Sequence, residues 1–256
     1  MRKSTIAALS ALAAVELWAL PGVLTTETET LKGDIKWKAR TKQYVVSVKK
    51  GSTMVDLERN LADVVALDIP KPAGYDKAVQ QVENSQGAMA IPMLTKIVAD
   101  YRMLQWDKPA GRYLAMAYIS ANQPQKAYDM CEKIIAEDKS AAWSGDLAAA
   151  YWQSLLKLGK KDKLEGLLKK AASSGNRQAS AAALVMRGDL IVSDANGAPD
   201  KLKEALRDGY LRAALMYNDA ECTRERAEAM LKAAGCFEKL GQTARAEKLK
   251  SQAKAL

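Results

Sequence analysis

Leu114-Ala115-Met116-Ala117-Tyr118, followed by Asn122 and then Ala127, is the stretch on which the fold of this 256-residue chain turns. A small or apolar pair is followed three residues later by a large side chain, four later by a turn residue, and five later by an apolar residue that opens a second helix. The pattern returns as Tyr151-Trp152-x-x-Leu155 with Gly159 and Leu164, and as Ala233-Ala234-x-x-Phe237 with Gly241 and Ala246. Two weaker copies place Ala90 and Ala205 at the start of the second helix, the latter followed by Leu206 and Tyr210. The anchors Ala90, Ala127, Leu164, Ala205 and Ala246 are 37, 37, 41 and 41 residues apart. A self-similar period in the range of about 20–50 residues is the mark of stacked structural repeats, and helical spacing runs from Pro72 to the end of the chain.

From Thr30 to Pro70 the period is two. Lys32, Asp34, Lys36, Lys38, Arg40 and Lys42 alternate with Ile35, Trp37 and Ala39, which predicts a strand with one charged and one apolar face. Tyr44–Val48 is β-branched and aromatic, Lys49-Lys50-Gly51-Ser52 reads as a hairpin turn into Met54–Leu57, and Val64–Leu67 reads as a last strand. Three to five short strands suggest a small SH3-like or Sm-like barrel over residues 23–71, closed by Pro70 and Pro72.

At the amino terminus Arg2 and Lys3 precede a small-residue apolar run from Ser4 to Val15, the layout of an export signal. Residues 1–22 are therefore expected to be a signal peptide or N-terminal anchor, cut after Ala19 or Gly22, and the mature chain to be periplasmic or secreted. Glu16 in a spanning segment would cost about 2.5–3.5 kcal/mol, so no transmembrane span is expected in the mature chain. Cytoplasmic residence, with residues 1–22 retained as a helix, is the alternative.

Lys and Arg outnumber Asp and Glu by 39 to 30, a net charge of +9, and residues 31–50 hold seven cations against Asp34 alone. The basic strand face of Lys32, Lys36, Lys38, Arg40 and Lys42 suits an anion. In an exported chain that anion is an envelope component, and nucleic acid is disfavoured. The chain has no histidine, which excludes Ser-His-Asp and Cys-His nucleophile systems, H-E-x-x-H zinc sites and histidine relays. Cys131, Cys222 and Cys236 are too few for a disulfide framework or a four-cysteine metal site and are expected as buried thiols, with a Cys222–Cys236 bridge the alternative after export.

The repeated segments resemble the tetratricopeptide repeat family, best in the second, third and fifth units, over about residues 74–256. Trp152 stands where the family has a small residue, Lys250 stands at a usually apolar place, and the units are longer than its norm. Ser193–Asp200 reads as a lengthened turn in the fourth unit. The resemblance implies a mainly α chain: an αα superhelix of about five helix pairs over residues 72–256, preceded by the small β module. It also implies a concave groove lined by the first helix of each pair, with Tyr75 and Val79, Arg112 and Met116, and Gln153 and Lys157 facing a peptide or protein partner. Trp106, Tyr113, Tyr118, Trp143, Tyr151 and Trp152 are expected to pack between helices.

Chemistry motifs are weak. Ser154-x-x-Lys157 and Ser251-x-x-Lys254 lack the partner motifs of serine-lysine enzymes, and Asp194-x-Asn196-Gly197 has its glycine at the fourth place of a calcium loop, not the sixth. No metal, cofactor or catalytic residue is expected. The function expected is a non-enzymatic protein-interaction scaffold of the bacterial envelope. The alternatives are a polyanion- or nucleic-acid-binding adaptor using the basic module and, third, an envelope enzyme working with carboxylates alone.

Overall fold

The computed structural model describes residues 19–256; the expected export signal falls mostly on residues 1–18, outside the described residues. Of these, residues 19–70 and 71–256 form two separate compact units.

In the first unit, β1 (Leu20–Thr26), β2 (Thr30–Lys38), β3 (Gln43–Lys50), β4 (Thr53–Asn60) and β5 (Val64–Asp68) form one antiparallel sheet in the order β4-β3-β2-β1-β5. A 3-10 turn, Leu61–Asp63, joins β4 to β5. The register pairs Leu24 with Leu31 and Leu67, and Val46 with Ile35 and Leu57, so these side chains share one face. Leu24, Ile35 and Val46 are fully buried on it, and Trp37 meets Tyr44 at a ring distance of 4.9 Å. The two-residue loop Gly51-Ser52 closes the β3–β4 hairpin where the sequence placed it.

Two expectations shift. β1 begins at Leu20, ahead of position 23, because backbone pairing of Leu20 with Ile35 and Gly22 with Gly33 extends it; cleavage after Gly22 would remove its first three residues. Arg40 and Lys42 are not on the charged strand face. β2 ends at Lys38, and residues 39–42 form the turn that brings Tyr44 opposite Trp37, with Lys42 at φ 55°.

The second unit is built from helix pairs: α1 (Tyr75–Glu83) with α2 (Gly87–Asp100), α3 (Asp107–Ser120) with α4 (Pro124–Glu137), α5 (Asp146–Lys157) with α6 (Lys161–Ala172), and α7 (Arg177–Ser193) with α8 (Pro199–Ala205). A π-helical turn (Leu206–Tyr210) runs on into α9 (Leu211–Met216), and α10 (Thr223–Lys239) pairs with α11 (Thr243–Lys254). Four of the five turns are alike. Ser85, Asn122, Gly159 and Gly241 hold φ of 62°, 57°, 67° and 73°. The amide after each donates back to the carbonyl of Gln81, Tyr118, Leu155 and Phe237, at 2.7–2.9 Å. This is the left-handed helix cap of the Schellman type, which satisfies carbonyls that a helix end leaves open.

The cap also sets the entry of the second helix. Ala90, Ala127, Leu164 and Ala246 each lie four residues beyond the capping amide and are fully buried. In the fourth pair the turn is longer, with Asn196 and Gly197 left-handed, and α8 starts from Ala198. Leu202, whose amide donates to Ala198 O at 3.2 Å, therefore holds the anchor position in place of Ala205. The true anchors 90, 127, 164, 202 and 246 are 37, 37, 38 and 44 residues apart, the last interval stretched by the π turn and α9.

That π turn crosses α7 closely. A Cβ on Gly188 would lie 2.4 Å from the Tyr210 ring, and one on Gly209 would lie 2.6 Å from Gly188 Cα, so both positions require glycine. Tyr151 and Trp152 are buried, and Trp152 Nε1 donates to Ala142 O at 2.8 Å. A side chain of that size fits where the family has a small residue because the 3-10 turn Lys139–Ala142 supplies both its wall and its acceptor. Trp106, Tyr113, Tyr118 and Trp143 are half-buried against the helix cores. All three cysteines are free and buried. No helix among the described residues is long and apolar enough to cross a membrane.

Candidate partner-binding faces

Successive first helices (α1, α3, α5, α7, α10) pack on one another, whereas grooves open between successive second helices. The array thus has a closed first-helix side and a furrowed second-helix side.

On the first-helix side, Tyr75 of α1 meets Trp106 at 5.2 Å and Tyr113 of α3 at 6.2 Å, both edge-on, and the Arg112 guanidinium lies 5.2 Å from the Tyr113 ring centre. Burial, with Tyr113 and Asp146 adding, pushes the Tyr75 phenol up to about 12, so it is a neutral donor at physiological pH. Tyr75 and Arg112 are therefore brought together. Val79 and Met116 are half-buried, and Met116 packs against the α3–α5 core, so it is partly structural. Gln153 and Lys157 follow along α5; Gln153 is half-buried and Lys157 exposed.

The sequence did not reveal the charges at the starts of α5 and α10. Asp146 reaches Arg224 at 3.5 Å, Arg224 pairs with Glu225 at 2.6 Å, and Gln178 of α7 donates to Glu225 at 3.3 Å. Glu225 is buried, and its Oε2 has no hydrogen-bond partner among the described residues. Asp146 and Arg224 are 78 residues apart, so no local pattern announces the pair.

On the second-helix side, a groove of about 680 Å³ between α2 and α4 has Val98, Leu114, Tyr118 and Met130 on its walls and the Arg102–Glu137 ion pair at its rim. Asp107 lines it as well. Burial raises this carboxyl, while the Met103 and Lys108 amides at 2.8 and 2.9 Å hold it in place as a helix-start acceptor. A cluster on the next pairs joins Glu132 to Tyr151 and to Lys163 (2.9 Å), with Lys163 also 3.1 Å from the Tyr128 hydroxyl. Burial works against ionised Glu132, but those hydrogen bonds outweigh it and hold its carboxyl below the usual range. This is the bonding of a fixed structural carboxylate.

Asp219, Glu221 and Cys222 bring ligand atoms within 4.8 Å of one another. Asp219, however, is held by Arg177 at 2.6 Å, and burial raises the Cys222 thiol, both of which oppose cation binding.

In the first unit Lys32 and Lys38 are exposed and Lys36 half-exposed on the outer face of β2. Lys36 lies 4.0 Å from Asp56, Lys38 pairs with Glu58, and Ser47 donates to Asp56 at 2.6 Å. β4 thus supplies carboxylates to the face that β2 makes basic. Over residues 19–70 the count is eight Lys or Arg against seven Asp or Glu, so the local excess read from residues 31–50 is nearly neutralised.

No protein-family model matches this chain, and no curated protein matches it. Solved structures do. The nearly identical TPR-like repeats of a Podosopora anserina protein described as a kinesin light chain are 18% identical, covering 72% of this chain and 92% of that one at a TM-score of 0.41. MamA AMB-1 is 15% identical, covering 71% and 88% at 0.36, and BtubC (BKLC) from P. vanneervenii is 16% identical, covering 72% and 91% at 0.35. The repeat itself is defined by this chain's own caps and anchors.

Proposed function

We propose that this protein is a non-enzymatic interaction scaffold of the cell envelope, whose first-helix face captures an extended segment of a protein partner. The observation that supports it most is the cap register shared by the first three helix pairs, counted from which Tyr75 and Arg112 hold equivalent first-helix positions, as do Val79, Met116 and Gln153, with Lys157 one turn beyond Gln153. Stacked helix pairs of this kind present extended surfaces, and such surfaces bind polypeptides. Tyr75 and the stacked Arg112 offer a donor and a cation over aromatic rings, a combination enriched where partners bind. The absence of histidine, and the structural roles of the perturbed carboxyls Asp107 and Glu132, favour binding over catalysis.

Export is supported by the basic and apolar start of the chain, with cleavage after Ala19 leaving β1 whole. The SH3-like reading of the first unit is supported by the five-strand order β4-β3-β2-β1-β5 and the 3-10 turn before β5. The test is affinity capture from envelope extract with Arg112→Glu and Lys157→Glu. Partner recovery should fall while stability stays within about 0.5 kcal/mol of the parent, the usual scale of a surface change. Undiminished recovery by both variants removes the first-helix-face assignment.

A further inference from the structure

The groove at the carboxyl-terminal end of the second-helix side differs from the other two. It measures about 570 Å³ and lies between α8–α9 and α11, floored by Phe237 and Leu240 of α10. Leu215 and Met216 on its wall are 74% and 55% exposed, a large apolar surface for a soluble chain to leave uncovered. Its remaining charged lining is Lys203, Arg207, Arg212 and Arg245, with no carboxylate. The grooves nearer the start are mixed: Asp107, Asp129 and Glu137 line the first, and Glu165, Asp194 and Glu204 the second.

We propose that this groove is a second docking site, which takes the apolar face of an acidic amphipathic helix from a partner protein. Charge complementarity selects the occupant. Charge on Lys203 is held only by the exposed Asp200 at 3.1 Å, a contact that water and a stronger partner readily replace; Arg207, itself exposed, pairs with half-buried Asp208 at 2.6 Å and is the less available of the two. Arg212 makes no ion pair among the described residues, although its charge acts on Asp208, and Arg245 donates to Gln242 at 2.8 Å. Carboxylates flanking an apolar helix face would meet these cations on both walls while leucine-sized side chains fill the floor. A second copy of this chain, at +9, and its own amino-terminal segment, with Arg2 and Lys3 against Glu16, carry the wrong sign. A flat anionic bilayer would touch the rim but not the floor.

The probe is a fluorescein-labelled helix of about 18 residues with leucines at i, i+3, i+4 and i+7 and glutamates flanking them, read by anisotropy against the full chain. A counterpart with lysine for glutamate and vesicles of equimolar phosphatidylcholine and phosphatidylglycerol run alongside. The acidic helix should bind, more weakly as salt rises, and the basic helix should not. Leu215→Asp and Arg212→Glu, both at exposed positions, should each weaken binding about tenfold, while Lys77→Glu, at an exposed position of α1 outside both faces, leaves it unchanged. Equal binding of both helices, no binding of the acidic one, or indifference to both groove variants overturns the proposal. So does vesicle binding that Leu215→Asp abolishes when the acidic helix fails to bind, which makes the patch a membrane contact.

Discussion

Replacing Ser85 by glycine should stabilise the array, and replacing Gly159 or Gly241 by alanine should destabilise it. The four caps share one backbone geometry, with φ between 57° and 73°, but two are built without glycine. A side chain in the left-handed region costs about 1–2 kcal/mol, and glycine gives back about 0.4–1 kcal/mol through the freedom it adds to the unfolded chain. The balance is a gain of about 0.5–1 kcal/mol for Ser85→Gly and a loss of about 1 kcal/mol for each Gly→Ala, with a smaller gain for Asn122→Gly because asparagine tolerates this region. No atom lies within 4 Å of the Cβ that either alanine would add, so the loss is purely conformational. In a unit of this size about 1 kcal/mol moves the melting temperature by about 2–4 °C, readable by circular dichroism at the helical band. Repeat arrays can melt in parts, so amide exchange at Gln86, Lys160 and Gln242 should be followed too; each substitution should change protection most at its own cap. Neutral Gly159→Ala together with destabilising Ser85→Gly would refute the cap assignment and the repeat register derived from it.

Leu164→Ala should cost about 2–5 kcal/mol in a urea titration, because it empties a fully buried anchor. Gly188→Ala should cost at least about 1–3 kcal/mol, since the new methyl would meet the Tyr210 ring at 2.4 Å; a smaller loss for Gly188→Ala with Tyr210→Leu in the same chain would identify that clash as the cause. Arg224→Met should destabilise by about 1–3 kcal/mol by leaving Glu225 buried without its cation, the lower part of the buried-pair range because Arg224 remains partly in water; Arg224→Met with Glu225→Met should recover most of it, and a neutral single variant contradicts the account. Glu132 is more acidic folded than unfolded, so its contribution is present above the ordinary glutamate range and lost as pH falls through and below it. Glu132→Gln should therefore flatten the acid side of the stability–pH curve, and identical curves for the two proteins would contradict this.

The helix pairs were legible because caps and anchors are local: a turn residue and a buried small residue five positions on define both helices. Ala205 was placed three residues late because the fourth turn is longer, and a residue count carried across it missed Leu202. The first three residues of β1 were absorbed into the amino-terminal segment because Leu20-Pro21-Gly22-Val23 has no period of two; pairing with β2 makes them strand. The basic face was read from one strand, and its neutralisation by Asp56 and Glu58 depends on which strand pairs beside it. Of the first-helix face, Tyr75 and Arg112 were found through helix spacing, whereas Asp146, Arg224 and Glu225 come together only when α5, α7 and α10 stack. The groove of Leu215 and Met216 was hidden because π-helical Leu206–Tyr210 shifts the helix phase by which those residues would have been assigned to a core.

The central claim is that the first-helix face engages a polypeptide partner. A photo-crosslinking side chain placed at Met116 and at Gln153, activated in whole envelope extract, tests it directly. A discrete polypeptide adduct is expected at both positions, lost when Arg112→Glu is added. Adducts absent from both positions, but formed by the same side chain at exposed second-helix positions such as Lys126, would contradict it.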